Sequence, residues 1–204
     1  MGVKPVPTEK DILLRHLDQP ITIHTDNVAT RSMTFVFPKE NRCTRPLTKM
    51  YRSNDGYVEL LGLTEPNETA PENNSEYSKT GKKFTYTFSP GSDTSFSMRL
   101  TIYNGFGEGQ REWHDHLAPD ANCKLFRLTL DLSAYHNAGY TISPEPALYF
   151  RKENATDRTL LEDRGAETLL TPVGSPIPWL RTWEMTDVRG GAIEMTWDVK
   201  PPAS

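Results

Sequence analysis

The chain has 204 residues, a formal net charge of −4 and 36% hydrophobic residues. Its acidic and basic residues are interspersed, which argues against the clustered basic face of a nucleic-acid binder. Its uninterrupted apolar runs are only a few residues long, far short of the roughly 20 residues that cross a bilayer, so we expect no membrane insertion.

The N-terminal segment predicts one short helix. Thr8 is a suitable N-cap ahead of an acidic first turn, and an apolar face continues to Leu17. Pro20 ends this element, because the residue before a proline avoids helical geometry. We therefore expect an N-terminal extension over residues 1–20 that contains this helix, followed by a single domain over residues 21–200.

Strands are predicted where apolar and polar residues alternate, because successive side chains of a strand point to opposite faces. The most regular example runs through Phe126, Leu128, Leu130 and Leu132. The predicted strands cover residues 21–24, 33–37, 57–63, 84–88, 96–103, 124–133, 147–150, 183–188 and 192–199.

The connections between these strands complete the predicted layout. Residues 64–82 are polar and have few aromatic side chains, which indicates a mobile loop. Residues 84–88 and 96–103 are predicted to pair as a hairpin, and residues 104–120 form a second long connection. A turn at residues 189–191 is predicted to join the last two strands as another hairpin.

About eight or nine strands with turn signals between them, and no long amphipathic helices, predict an all-β fold. The expected architecture is an antiparallel β-sandwich, either immunoglobulin-like or jelly-roll, that carries the one short N-terminal helix. No motif of the chain is diagnostic of a known family.

One short segment carries metal-binding residue types. On a strand, His114 and His116 share a face, with Glu112 in line, so the three are candidate metal ligands. The pair resembles the His-x-His pair of cupin-type metalloenzymes, which implies a metal-dependent jelly-roll enzyme. The later glutamate of that pattern is missing, and the only later histidine is His136. An exposed polar loop is the alternative interpretation.

Aromatic residues near the predicted loops are candidates for binding. Tyr103, Phe106 and Trp113 cluster around the second long connection, and Trp179 precedes the last hairpin. Exposed aromatic residues suit contact with a carbohydrate or a protein, because they bring a large contact area at low entropic cost. The alternative is that they cover the open ends of the sandwich.

The two cysteines, Cys43 and Cys123, lack metal-ligand spacing and are expected as thiols, which indicates a reducing compartment. Cys123 has no evident base beside it, so a catalytic thiol is not favoured. Residues 1–7 lack the apolar stretch of a secretory signal, and we expect a cytoplasmic protein. Asp131 is expected to form a weak surface ion pair with Arg127.

Three hypotheses about function follow. The first is a non-enzymatic binding module that contacts a protein partner, or a second copy of itself, through loops and edge strands such as residues 147–150. The second is the metal-dependent enzyme that uses His114 and His116. The third is a carbohydrate-binding domain that uses Tyr103, Trp113 and Trp179. No cofactor is predicted by any motif of the chain. His114 and His116 count as binding candidates under the first hypothesis too.

Overall fold

The computed structural model of this chain describes residues 12–44, 47–52, 57–64, 76–78, 81–86, 90–104, 112–143, 145–152 and 168–203, and for residues 112–120 and parts of other strands it describes the backbone alone. These residues are mostly β-structure with one short helix. The elements are β1 (Ile12–Ile23), β2 (Val28–Phe37), β3 (Leu47–Arg52), β4 (Tyr57–Thr64), β5 (Glu76–Ser78), β6 (Gly81–Tyr86), β7 (Thr94–Tyr103), β8 (Glu112–Asp131), α1 (Ser133–Asn137), β9 (Thr141–Ile142), β10 (Ala147–Lys152), β11 (Thr168–Leu170), β12 (Val173–Ile177), β13 (Leu180–Thr196) and β14 (Val199–Lys200). No helix in this part of the chain has the length and hydropathy of a membrane span.

The described residues contain one short helix, as expected, but it does not lie at the N-terminal position that the sequence predicted. Within the described part of the chain that helix is α1, which follows β8, whereas residues 12–23 form β1. Strand pairing explains the difference, because β1 hydrogen-bonds to β2 on one side and to β8 on the other. A short segment has little helical stability of its own, so these tertiary contacts decide its structure. β1 also crosses residue 20, where the sequence predicted a boundary.

The described strands form one large mixed sheet and two small ones. The large sheet has nine strands in the order β11-β10-β13-β8-β1-β2-β7-β4, with β12 paired to β13. β3-β6-β5 and β14-β9 form the small sheets. The expected purely antiparallel arrangement is wrong, because β1 and β8 run parallel. Alternation in a sequence shows which residues share a face but not the direction of the neighbouring strand.

Three predicted connections differ from the structure. β6 pairs with β3 and β5 while β7 pairs with β2 and β4, so the expected hairpin of residues 84–88 with 96–103 does not form. β8 begins at Glu112, within the predicted second connection. β13 runs unbroken from Leu180 to Thr196, and the predicted turn at residues 189–191 appears there as a shift of register against β8.

One strand predicted to be a free edge is an interior strand. β10, which contains residues 147–150, is hydrogen-bonded to β13 on one side and to β11 on the other. A partner strand therefore cannot pair with β10 at Leu148 or Phe150, because these residues already pair with β11. β4 and β11 instead end the strand order of the large sheet.

Alternate residues of the large sheet form a single hydrophobic core. Leu128, Leu130 and Leu132 are completely buried, as their alternation predicted, and Trp197 is buried as well. Phe35 and Phe96, on neighbouring strands, stack with ring centroids 4.6 Å apart. The burial of these side chains is the main favourable contribution to folding.

The long β8–β13 ladder has two halves in different surroundings. In the β1-side half, residues 125–131 of β8 pair with 180–186 of β13, and β1 lies on the other side of β8. In the β10-side half, residues 112–117 of β8 pair with 191–196 of β13, and β10 lies on the other side of β13. The register shift between Arg189 and Gly191 lies between the halves.

Candidate functional site

The turn between β12 and β13 is held firmly against α1. The backbone N–H of Leu132 donates a 2.7 Å hydrogen bond to the carbonyl of Trp179. The rings of His136 and Trp179 stack with centroids 3.5 Å apart and planes 4° apart. The Asp131 carboxylate accepts a 2.8 Å bond from the N–H of Ser133, which supports the start of α1. This turn is therefore preorganised by contacts with β8 and α1.

This hairpin of β12 and β13 carries two exposed large apolar side chains. Leu180 is 41% exposed and Val173 is 42% exposed. Leu180 pairs with the half-buried Ile177, and Val173 pairs with Thr182. Residues that pair directly share a face of the sheet, so these positions lie together on the face opposite the core. We call Val173, Ile177 and Leu180 the hairpin surface.

A buried arginine lies beside the hairpin surface. Arg181 is 4% exposed, and its Nη2 donates a 2.5 Å charged hydrogen bond to Oε2 of Glu145, which precedes β10. Burial of a guanidinium without a partner is unfavourable by several kcal/mol, so we expect this contact to hold the Glu145 segment against β13. Arg181 thereby fixes the base of the hairpin.

Tyr103 lies at the end of β7 next to the edge strand β4. It is 37% exposed, and its hydroxyl donates a 3.0 Å hydrogen bond to Oε2 of Glu59. Tyr103 and Trp179 occupy the same end of the large sheet, because Glu59 and Leu180 lie on one row of paired residues. Four inter-strand steps separate β7 from β13, which is about 19 Å at the usual strand spacing.

The remaining aromatic candidates lie elsewhere. Trp113 pairs with Met195 at the opposite end of β8 from Trp179, and Phe106 lies outside the described residues. One face of the Trp179 indole is covered by His136, and the residue is packed against the core. The described backbone therefore does not bring Tyr103, Trp113 and Trp179 together as one carbohydrate platform.

The histidine pair lies in a strand. His114 pairs with Glu194 and His116 with Ala192 in the β10-side half, and Glu112 pairs with Thr196. A strand is the geometry in which residues two apart share a face. Among the side chains that the structure describes, no group of three or more His, Cys, Asp or Glu residues comes together, and the side chains of His114 and His116 are not in that set.

Both cysteines are buried thiols, as the sequence predicted. Burial raises the pKa of Cys123 from 9.0 to about 12, while hydrogen bonds with the backbone of Leu125 and Leu17 oppose the shift. The thiolate is the reactive form, so this cysteine is chemically inert near neutral pH.

The predicted ion pair of Arg127 with Asp131 is wrong. Arg127 Nη2 lies 2.6 Å from Oε1 of Glu184, its direct partner on β13. Asp131 supports Ser133 instead. Residues four apart on one strand are too distant for an ion pair, whereas cross-strand partners are neighbours.

Sequence reasoning missed Leu180, Val173, Arg181 and Glu194. If the alternation of apolar and polar residues in the last predicted hairpin is extended back from Trp183, Leu180 falls on the solvent-exposed face. The same extension places Arg181 on the buried face, where charged residues are rare. The position of Glu194 beside His114 depends on strand register, for which the sequence carries no signal.

Comparison with known proteins gives neither a family nor an activity. No family model matches the chain, and no curated protein matches it. Among solved structures, the chain is similar to a candidate protease from Parabacteroides distasonis ATCC 8503 (7% identity, TM-score 0.46, 90% of this chain and 40% of that one). It is also similar to the M1 zinc metallopeptidase from Deinococcus radiodurans (10% identity, TM-score 0.39, 90% and 42%).

A third similar structure is a candidate nutrient-binding protein from Legionella pneumophila, at 10% identity and a TM-score of 0.37 over 94% of this chain and 69% of that one. The chain thus spans about two fifths of the length of the first two structures. Likeness at this level carries no argument about what this chain does.

Proposed function

We propose that this chain is a non-enzymatic β-sandwich module that binds a protein partner through its loops and sheet edges. The observation that carries the proposal is the hairpin surface. Two of the three exposed large hydrophobic side chains among the described residues, Val173 and Leu180, lie on it. Apolar side chains that stay in contact with water are stabilised when a partner covers them.

The rigidity of the hairpin supports the same proposal. Its turn is fixed by the Leu132–Trp179 hydrogen bond and by the stack of Trp179 on His136. A surface that is already ordered loses little conformational entropy when it binds, so more of the interaction energy contributes to affinity. A partner that buries Leu180 would therefore bind with little loss of conformational entropy in the hairpin.

The β4 edge is the second part of the proposed surface. β4 ends the strand order of the large sheet, and its register against β7 shifts between Leu61 and Leu63. An edge strand offers backbone donors and acceptors to an added strand, and a local irregularity discourages unspecific pairing. Tyr103, which is exposed beside this edge, would supply a side-chain contact to such a strand.

The test compares the full-length chain with two variants of equal charge change. Leu180→Glu places a carboxylate in the hairpin surface, and Ser92→Glu places one in an exposed bend at the opposite end of β7 from Tyr103. Affinity capture from the native host with quantitative mass spectrometry is expected to recover a partner with the wild type and with Ser92→Glu. Recovery with Leu180→Glu is expected to fall at least about tenfold, since a buried unpaired charge is costly.

Sedimentation velocity of the same three proteins covers the case in which the partner is a second copy. A wild-type dimer that Leu180→Glu converts to a monomer would support the hairpin surface as a self-association site. Equal recovery of every protein with all three chains, together with identical sedimentation, would overturn the proposal.

A further inference from the structure

The β10-side half places a carboxylate directly beside the histidine pair. Glu194 is the register partner of His114, and Tyr149 of β10 is the partner of Glu194 on its other side. Directly paired residues of antiparallel strands have Cα atoms about 4.5–5.5 Å apart, and residues two apart on a strand are about 6.5–7 Å apart. His114, His116 and Glu194 thus occupy three adjacent positions of the sheet.

The burial pattern of β13 shows which face these positions occupy. Ile193 and Met195 are buried in the core, and Glu194, between them, is only half-buried. Glu194 therefore lies on the face opposite the core, and pairing together with alternation assigns the positions of His114 and His116 to that same face. Glu194 keeps partial contact with solvent on this face.

We infer that His114, His116 and Glu194 form a binding site for one zinc ion. Two imidazole nitrogens and one carboxylate oxygen are a ligand set that zinc prefers, and three protein ligands leave one coordination position for water. Magnesium and calcium favour six or more oxygen ligands, so this set discriminates against them. The inference is independent of the proposed function.

Isothermal titration calorimetry of the full-length, metal-free chain with zinc chloride tests the site. One zinc ion per chain is expected to bind, with no comparable heat from magnesium or calcium. His114→Ala, His116→Ala and Glu194→Gln are each expected to weaken binding at least about tenfold. Two matched controls, His24→Ala in the turn before β2 and Thr196→Ala on the same strand as Glu194, should bind zinc as the wild type does.

A measurement on the wild-type chain keeps the test independent of variant folding. Zinc is expected to protect His114 and His116 from modification by diethyl pyrocarbonate, as read by mass spectrometry, while His24 and His136 react at unchanged rates. Absence of a stoichiometric binding heat would overturn the inference. So would zinc protection of all histidines alike, or zinc affinity unchanged in all three ligand variants.

Discussion

In the β1-side half of the β8–β13 ladder, β8 lies between β13 and β1, and Phe126, Leu128 and Leu130 are buried. In the β10-side half, the pairings within the described residues join β8 to β13 alone, and β8 there carries His114 and His116. The apolar face nevertheless runs through both halves, since Leu128 and Met195 belong to one core cluster. The difference between the halves lies on the opposite face.

On that opposite face of the β1-side half, polar side chains of β8 contact polar side chains of β13. The hydroxyls of Thr129 and Thr182 lie 3.0 Å apart across the ladder, and Arg127 pairs with Glu184. In the β10-side half, the corresponding row places His114 beside Glu194. Cross-strand pairs of opposite charge or of hydrogen-bonding hydroxyls stabilise a sheet. Neighbouring histidine and glutamate side chains are residue types that bind zinc. One pair of strands therefore combines a structural face with a candidate ligand face.

The largest expected effect tests whether the two halves share one core. Leu128→Ala and Met195→Ala each remove a side chain with no exposed surface, and each is expected to lower the free energy of unfolding by about 2–5 kcal/mol. Urea unfolding followed by fluorescence and by circular dichroism should give one coincident transition for both variants.

The control is Thr186→Ala, at an exposed position of β13, which should change stability by no more than about 0.5 kcal/mol. A separate, earlier transition in Met195→Ala alone would show that the β10-side half unfolds on its own and that the two halves do not share one core.

The sequence predicted the apolar face of this ladder well but not the arrangement of its strands. Alternation identified Leu128 and Leu130 as buried, because burial of one face requires a period of two. It could not show that β1 lies parallel to β8, since strand direction depends on contacts between distant segments. The helix expected to end at Leu17 failed for the same reason, because one neighbour of β1 is β8, which lies about a hundred residues further along the chain, while β2 follows β1 directly.

The candidate sites were predicted in part for similar reasons. His114 and His116 were found because their two-residue spacing is a local pattern. Glu194 was not found, because only the register of β13 against β8 places it beside His114. Leu180 was missed because the predicted strand began at residue 183, three residues too late to include it.

The second prediction concerns Cys123, which pairs with Leu14 and Val188 near the register shift that separates the halves. Its pKa is raised from 9.0 to about 12 by burial, so above pH 9 the thiol ionises in the unfolded chain before it ionises in the folded one. Stability from this group is complete below pH 9 and is lost as the pH rises from 9 towards 12, by up to about 1.4 kcal/mol per pH unit.

Urea unfolding of the wild type and of Cys123→Ala, measured at several pH values across this range, isolates the effect from other titrating groups. The stability of the wild type should fall more steeply than that of Cys123→Ala above pH 9. If the stabilities of the two proteins fell equally with pH, the Cys123 thiol would be in contact with water. The hydrophobic core would then be interrupted at the junction of the two halves.

The smallest expected effect lies on the paired face of the β1-side half. The side chains of Arg127 and Glu184 are 38% and 32% exposed, so water screens their ion pair. A double-mutant cycle of Arg127→Ala and Glu184→Ala should therefore give a coupling free energy of about 0.2–1 kcal/mol. This coupling should weaken with added salt. The more exposed pair of Lys124 with Asp187 serves as the control and should couple less. If this face only supports the sheet, neither Arg127→Ala nor Glu184→Ala alters zinc binding in the calorimeter. A loss of zinc affinity in either variant would extend the ligand face into the β1-side half and remove the distinction between the two.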